Sequence, residues 1–537
     1  MEGWYTPMET ITTRQTTNHQ DLTSLPAVEL AAMIARGDIS SLEVVEAHIE
    51  RIERVNPRLN AVVVTRYDAA RAEARKADER RSKGELLGPL HGVPITVKES
   101  LDVEGAPSTF GLPSRASVLA RQDDLYIARM REAGAIILGK TNVAQLLYYI
   151  ECDNPLYGRT NNPWNLDRSS GGSSGGQAAI IAAGGSPMGL GTDLGGSIRV
   201  PATFCGIAGL KPTSGRTPDA GRYSEPLGER AIVSQVGVLA RQVADVALGM
   251  EIINGGRNPH VEPPMPLGDP ETVDVSRLRV AYYTDDGTFK VAPAVGRAVL
   301  EAADILRNCG AQVTAWSPPD VRHAVDLFFG IMSADGGRGI MQTLGRNKRD
   351  PRIATLLFMG RRSRPTLAVI GGLLRLLGQQ GLAGSIRNFG HRDTLHYWQL
   401  VETQMEYQRR FLQALDHDEG GPFDLILCPA CALPAFTHGS SRDLILAGGY
   451  TALYNVPGYP TGIVPVTRVR SDEEVGRPPS RDSMEQAARK VELGSAGLPV
   501  GVQVVARPWR EHVALAAMRL IEAAACRHSD YPRMGLM

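Results

Sequence analysis

The chain has no excess of either charge: 58 Lys and Arg stand against 58 Asp and Glu in 537 residues. Such a balance supplies no field to gather nucleic acid or to steer a highly charged substrate, so the expected ligand is a neutral or weakly charged small molecule and not a nucleic acid. Nor does any uninterrupted apolar run approach the roughly 18 residues of an ordinary membrane-spanning helix. The opening stretch MEGWYTPMETITTRQTTNHQ has neither the basic nor the apolar region of a secretory signal. Six cysteines are too few for a disulfide framework in so long a chain, and the protein reads as cytoplasmic. Cys428-Pro429-Ala430-Cys431 has CxxC spacing, but no second pair and no suitable histidines accompany it. No metal and no cofactor are therefore assigned, and DLILCPA reads as the end of a strand. There is no internal repeat of roughly 20–50 residues.

What is present is the composition of a globular protein with ample core, 43% hydrophobic and 22% charged. Residues 1 to about 22 are polar and Thr-rich, the composition of a poorly ordered arm. Ser24 and Pro26 open a helical pattern that Gly37 closes. Ser40-Ser41-Leu42-Glu43 is a capping box for a second helix, with Val45, Ile49 and Ile52 on one stripe. Beyond Gly84 short apolar runs alternate with helical patterns; VPITV (93–97), AIILG (135–139), GIVPV (462–466) and LPVGVQVV (498–505) read as strands. The class is α/β, a large sheet buried on both faces by helices after an N-terminal helical lead-in. Residues 1–80 make the arm and lead-in, and 81–537 the main domain, although nothing marks a clean boundary. Segments 255–275 and 470–490, rich in Pro and charge, read as surface loops or insertions.

Three stretches carry chemistry. In SSGGSSGGQAAIIAAGG (169–185) the letters of G-x-S-x-G surround Ser173, but the preceding NNPWNLDRSS is turn-forming, and a nucleophile elbow needs a strand there. In PMGLGTDLGGSIRVPATFCG (187–206) Ser197 follows two glycines whose N–H groups can approach a carbonyl closely. That pattern fits an oxyanion hole or a plain tight turn. None of the eleven histidines lies in a motif pairing it with either serine cluster. A different base is available in LHGVPITVKES, where Lys98 follows a strand that should be buried.

GPLHGVPITVKES, SSGGSSGGQAA and GLGTDLGGSIRVPATFCGIAGLKPTSGR, in that order, resemble the three signature blocks of the amidase signature family of serine hydrolases. With RIERVNPRLNAVV, TNVAQ and GLPVGVQVVARPW, the resemblance covers about residues 25–525. It implies the amidase-signature fold, with a large mixed, twisted sheet, and a Ser-cis-Ser-Lys triad. Lys98 is then the base, Ser173 the bridging serine on a cis peptide bond, and Ser197 the nucleophile. The chemistry is coherent: a lysine neutral near pH 7 costs about 4–5 kcal/mol, which burial can supply, and a serine hydroxyl both donates and accepts. The resemblance further implies an oxyanion hole from the N–H groups of Leu194, Gly195, Gly196 and Ser197. It makes Ser174, Asp193 and Arg199 loop-holding residues, against the plainer alternative of a surface ion pair.

KTNVAQLLYYIECDNPLYGRTNNPWN and TALYNVPGYPTGIVPVT resemble the fatty acid amide hydrolase branch. On that resemblance Leu146, Leu147, Tyr148 and Tyr149 line an acyl pocket, unless they are ordinary core. The implied activity is hydrolysis of N-acyl amides with fatty or aryl groups. Alternatives are a carbamate or anilide hydrolase with the same triad and, less favoured, an amidotransferase subunit working with partners on tRNA. Two interruptions of the main domain are expected, a lid-like insertion at about 351–390 and a loop insertion at about 470–495. In the first, Ile370, Leu373, Leu374 and Leu377 fall on one helical face among arginines. It fits a lipid or membrane contact, a substrate-tunnel lid, or a homodimer contact or core; Gly371, Gly372, Gly378 and Gly381 weaken any long helix there.

Overall fold

The computed structural model describes residues 22–218, 229–254 and 265–534. The Thr-rich arm up to residue 21 and part of the 255–275 segment lie outside these residues. The lead-in follows the capping signals. Helix Ala27–Arg36 ends on Gly37 at φ +81°, and helix Ser41–Leu59 starts at a complete Ser40/Glu43 capping box. Val45, Ile49 and Ile52 are buried on its inner stripe. The lead-in is not purely helical, because after Asn60 the chain forms β1 (Val62–Thr65), which joins the main sheet before helix Tyr67–Ser82.

The remaining strands are β2 (Pro94–Lys98), β3 (Ile136–Thr141), β4 (Met188–Asp193), β5 (Ala208–Lys211), β6 (Gln235–Ala240), β7 (Arg279–Tyr282), β8 (Gln312–Ala315), β9 (Leu425–Pro429), β10 (Thr461–Arg468) and β11 (Pro499–Ala506). They form one eleven-stranded mixed sheet in the order β1-β3-β2-β4-β6-β5-β10-β11-β9-β7-β8. The four strands expected from apolar runs are β2, β3, β10 and β11. Both faces are covered: along β3, Ile137 enters one apolar cluster while Ile136 and Leu138 enter another, as strand alternation requires. β9 ends at the CxxC stretch, with Cys428 and Cys431 both buried.

Two expectations change. Segment 470–490 is not all loop, since Ser483–Glu492 is a helix that buries Met484, Ala488 and Val491. Its N-cap Asp482 also accepts the Gly381 N–H at 2.8 Å, tying it to the other insertion. In 351–390, helices Pro351–Gly360, Arg364–Leu376 and Gln380–Ile386 form in sequence. Gly378, at φ +76°, separates the last two. The expected single apolar stripe is split. Ile370 and Leu374 pack inward on Met359, Leu367, Ile386 and Phe389, whereas Leu373 and Leu377 are exposed with Val369 and Leu376.

Asp245, fully buried, fastens the lead-in to the sheet domain, and the half-buried Glu522 joins two helices within that domain, Glu511–Ala525 and Val243–Ile253. Asp245 accepts the Ala27 and Val28 N–H groups at 2.9 Å, capping the first helix, and Glu522 accepts the Val243 N–H. Burial pushes Asp245 up to about 6 and Glu522 up to about 7, with Asp245 adding to the effect on Glu522. An acid with a higher pKa folded than unfolded binds more protons when folded. Its favourable contribution is complete at low pH and is lost as pH rises from the unfolded value to the folded one, for Glu522 from 4.5 to about 7. Glu522→Gln keeps one acceptor and removes that loss. Its thermal midpoint should exceed that of wild type at pH 8, with the gap closing toward pH 5; a gap independent of pH would count against this account.

Candidate active site

β2 and β4 are parallel neighbours, with Thr96 opposite Gly189 and Val97 opposite Leu190. Their carboxyl ends therefore emerge at the same edge of the sheet, where α/β proteins place their binding crevices. Lys98 is the last residue of β2 and has no exposed surface. Its Nζ lies 2.8 Å from Ser173 Oγ and 2.8 Å from Thr192 Oγ1, and 3.3 Å from the Thr192 carbonyl oxygen. Ser173 is also fully buried, and the Gly172–Ser173 peptide is cis. No strand leads directly into it; helix Gly175–Ala182 follows. Glycine is required at 172 for space: a Cβ there would stand 2.5 Å from the Glu151 nitrogen and 2.8 Å from the Tyr149 carbonyl oxygen.

The Ser197 loop is organised by Asp193, at the end of β4. One carboxylate oxygen accepts the Gly196 N–H at 2.8 Å, and the other accepts the Ile198 N–H at 3.1 Å. Arg199 closes the carboxylate from Nε at 3.0 Å and Nη2 at 2.9 Å. Its other donors reach the Thr451 carbonyl at 2.9 Å, Gln503 Oε1 at 3.0 Å and Asn455 Oδ1 at 2.5 Å. Neither Asp193 nor Arg199 has any exposed side chain, so this is a buried network and not a surface ion pair. Burial opposes the charge on Asp193, but Arg199 overcomes it and holds the carboxyl well below the usual range. Ser174 completes the frame, its N–H donating to the Ser197 carbonyl at 3.2 Å and its hydroxyl to the Thr192 carbonyl at 3.4 Å. The four expected oxyanion donors are not equivalent, because the Gly196 N–H is already given to Asp193. Gly196 sits at φ +120°, where a Cβ would run into Thr451 Oγ1.

Ser173 and Ser197 line one cavity of about 180 Å³ together with Leu194, Gly195 and Thr192. All four expected pocket residues, Leu146, Leu147, Tyr148 and Tyr149, line it too. Leu146 and Leu147 hold φ of +53° and +64°, a left-handed conformation that costs a non-glycine residue on the order of 1–3 kcal/mol. Hydrogen bonds to the Phe110 and Ala144 carbonyls hold them there. The next turn is anchored by Glu151, which accepts from Ser441 Oγ at 2.6 Å and the Gly439 N–H at 2.7 Å and faces Arg352 at 3.4 Å. Burial works against this carboxylate, yet His438 and Arg352 hold it at about 2.

Sequence reasoning missed much of the wall. Phe328, Phe329 and Met332 come from helix Val321–Met332, and Ile445 and Ala452 from the region of helix Gly449–Asn455. Nothing local marks these apolar residues as pocket rather than core. Leu356, Gly360 and Phe389 bring the 351–390 insertion into the lining. Thr192 and Lys211 went unnamed as well, although the GLGTDLGG and GLKPT blocks contain them. Lys211 is a fully buried lysine at the end of β5 whose pKa falls to about 7 through burial and then Arg199.

The family model described as Amidase matches residues 43–515, and the chain belongs to the amidase family. It is a hydrolase acting on amides. The chain is similar to fatty acid amide hydrolase 1 of Caenorhabditis elegans, 33% identical over 93% of this chain and 88% of that one. It is equally 33% identical to indoleacetamide hydrolase of Bradyrhizobium diazoefficiens, over 93% of this chain and 86% of that one. Among solved structures, a fatty acid amide hydrolase superposes with a TM-score of 0.80 at 26% identity, covering 94% of this chain and 86% of that one.

Removing one partner of a fully buried ion pair leaves an uncompensated charge, at a cost of about 3–5 kcal/mol. Arg199→Met should lower the urea midpoint accordingly. Arg36→Ala, which breaks the exposed pair with Asp38, should cost under about 1 kcal/mol. Equal shifts in the two variants would refute the structural role given to Arg199.

Proposed function

We propose that the protein hydrolyses N-acyl amides bearing hydrophobic fatty or aryl acyl groups, with Ser197 as nucleophile, Ser173 as proton relay and Lys98 as base. The observation that carries this reading is the contact of the buried Lys98 amine with Ser173 Oγ, behind a cavity that Ser173 and Ser197 line together. Lys98, as the neutral amine, accepts the Ser173 proton while Ser173 takes that of Ser197. Ser197 Oγ bonds to the substrate carbonyl carbon, and the oxyanion is met by N–H groups of Leu194, Gly195 and Ser197. The proton returns through Ser173 to the amine nitrogen as the C–N bond breaks. Water then attacks the acyl ester by the same relay and releases the carboxylic acid. The apolar lining and the similarity to fatty acid amide hydrolases support a hydrophobic acyl group.

The insertion supports a second part of the same reading, contact with a lipid surface. Its helix Arg364–Leu376 lines no wall of the cavity itself, but it turns Val369, Leu373 and Leu376 outward, with Leu376 85% exposed. Arg361, Arg362, Arg364 and Arg375 flank these side chains. An apolar face edged by arginines fits the boundary of an anionic membrane. Among the described residues no helix is long and apolar enough to cross one.

Ser197→Ala should abolish labelling by a fluorophosphonate and reduce kcat by about 10⁴-fold or more, with the fold retained; near-normal turnover would remove Ser197 from its role. Lys98→Ala should cost roughly 10²–10⁴-fold. Acyl anilides and carbamates of graded chain length separate the substrate readings: a preference flat across length argues against fatty amides, and faster carbamate turnover favours the alternative. Wild type should cosediment with phosphatidylserine vesicles, and Leu376→Asp should release it. A concentration-dependent dimer broken by the same substitution would instead assign this face to a second copy of the chain.

A further inference from the structure

Glu99 follows the lysine that ends β2, and its N–H continues the ladder to the Thr141 carbonyl of β3 at 3.0 Å. It has no exposed surface. One carboxylate oxygen accepts the Thr109 N–H, and the other accepts the Phe110 N–H at 3.0 Å. Lys140, on β3 and equally buried, ties the same loop one step earlier, its Nζ donating to the Pro107 carbonyl at 2.5 Å and to Ser108 Oγ at 2.7 Å. Burial raises the Glu99 carboxyl above its usual range, with Lys140 and the Thr109 and Phe110 donors opposing.

From this loop a short path leads to the wall of the cavity. Phe110 holds φ of +54°, and its carbonyl accepts the Leu146 N–H at 2.9 Å. Leu146 is itself left-handed and lines the cavity beside Leu147. The Phe110 side chain lies in one apolar cluster with Leu146 and with Ile353 and Leu357 of helix Pro351–Gly360. A left-handed residue other than glycine persists only where its surroundings over-determine it. For Phe110 those surroundings include the bond from its own N–H to Glu99 and that from the N–H before it.

We infer that Glu99 is a positioning residue for the acyl pocket. Its carboxylate holds the Thr109–Phe110 backbone, Phe110 holds Leu146, and the wall that meets the acyl group is thereby fixed relative to the strand that carries Lys98. Neighbouring residues of one sequence block thus serve two ends, Lys98 the reaction and Glu99 the choice of acyl group. This rests on the cavity being the acyl site of the Ser197 reaction. Only a carboxylate offers an acceptor to both N–H groups from either oxygen; a glutamine of the same shape sets its NH₂ against one of them. That bond is then lost with a buried N–H left unpaired, and the wall is no longer held in one place.

The test is a series of acyl p-nitroanilides of graded chain length, starting at acetyl. For the chain that wild type prefers, Glu99→Gln should raise KM by about 10-fold or more with a much smaller change in kcat, the mark of lost acyl binding, whereas Lys98→Ala loses kcat. Glu99→Asp, which keeps the charge but shortens the reach, should give a smaller shift of the same kind and serves as the readout if the glutamine variant does not fold. Leu146→Gly suits the left-handed backbone and removes the wall; added to it, Glu99→Gln should change KM by no more than about 2-fold. Fully additive shifts in that double variant would overturn the inference, as would a loss confined to kcat. A wild-type profile that slopes with chain length and is unchanged in both Glu99 variants would overturn this inference alone. A flat wild-type profile would overturn the acyl-site reading and the inference with it.

Discussion

A carboxylate with no exposed surface must be matched by donors on every side, and Asp193 is matched by the loop that carries Ser197. Its oxygens take the N–H groups of Gly196 and Ile198 and the Arg199 guanidinium. Arg199 spends its remaining donors on Thr451, Gln503 and Asn455. Strand β4, strand β11 and helix Gly449–Asn455 are thus fastened to one another through a single ion pair. Such a pair adds little net stability over an apolar replacement, but it does specify geometry, since only one arrangement satisfies all of its donors. The position of Ser197 and the approach of the Phe328 and Ala452 walls follow from it.

The second constraint is the parallel pairing of β2 with β4. It brings Lys98 and Thr192 to one edge, so that Thr192 Oγ1 and Ser173 Oγ hold the lysine amine from two directions. The glycines serve close approach. At 172 the Tyr149–Glu151 backbone occupies the space of a side chain, and at 196 Thr451 does. This joins Ser173 to the pocket wall, because the segment that touches Gly172 also lines the cavity with Tyr149 and is itself locked by Glu151 and Arg352. Arg352 belongs to the 351–390 insertion, which therefore supports the pocket from behind with its charged N-terminal end and lines it with Leu356 and Phe389.

The polar part of the site was readable because its chemistry is local. Lys98 ends a short apolar run, Ser173 and Ser197 sit in glycine-rich blocks, and a family resemblance carried by those blocks names all three. Capping signals likewise fixed the two lead-in helices. Readings failed where local composition stands for several environments. The charged 470–490 segment hides a helix whose Met484 and Val491 face inward. The Arg364–Leu376 stripe divides between a packed side and an open one because its neighbours cover only part of it.

By itself the sequence determined the chemical class, an amide hydrolase, marked Lys98, Ser173 and Ser197 as the candidate triad, and gave strands that periodicity and burial demand. Only the tertiary structure decided what surrounds them. Residues more than 100 positions apart, such as Leu146, Phe328 and Ala452, become one wall through packing, and apolar side chains carry no mark of which partner they will meet. The same holds for the Gly196 N–H, which Asp193 takes, and for the Tyr149 hydroxyl, which none of the described residues takes. Whether a polar atom is satisfied is a property of the folded surroundings.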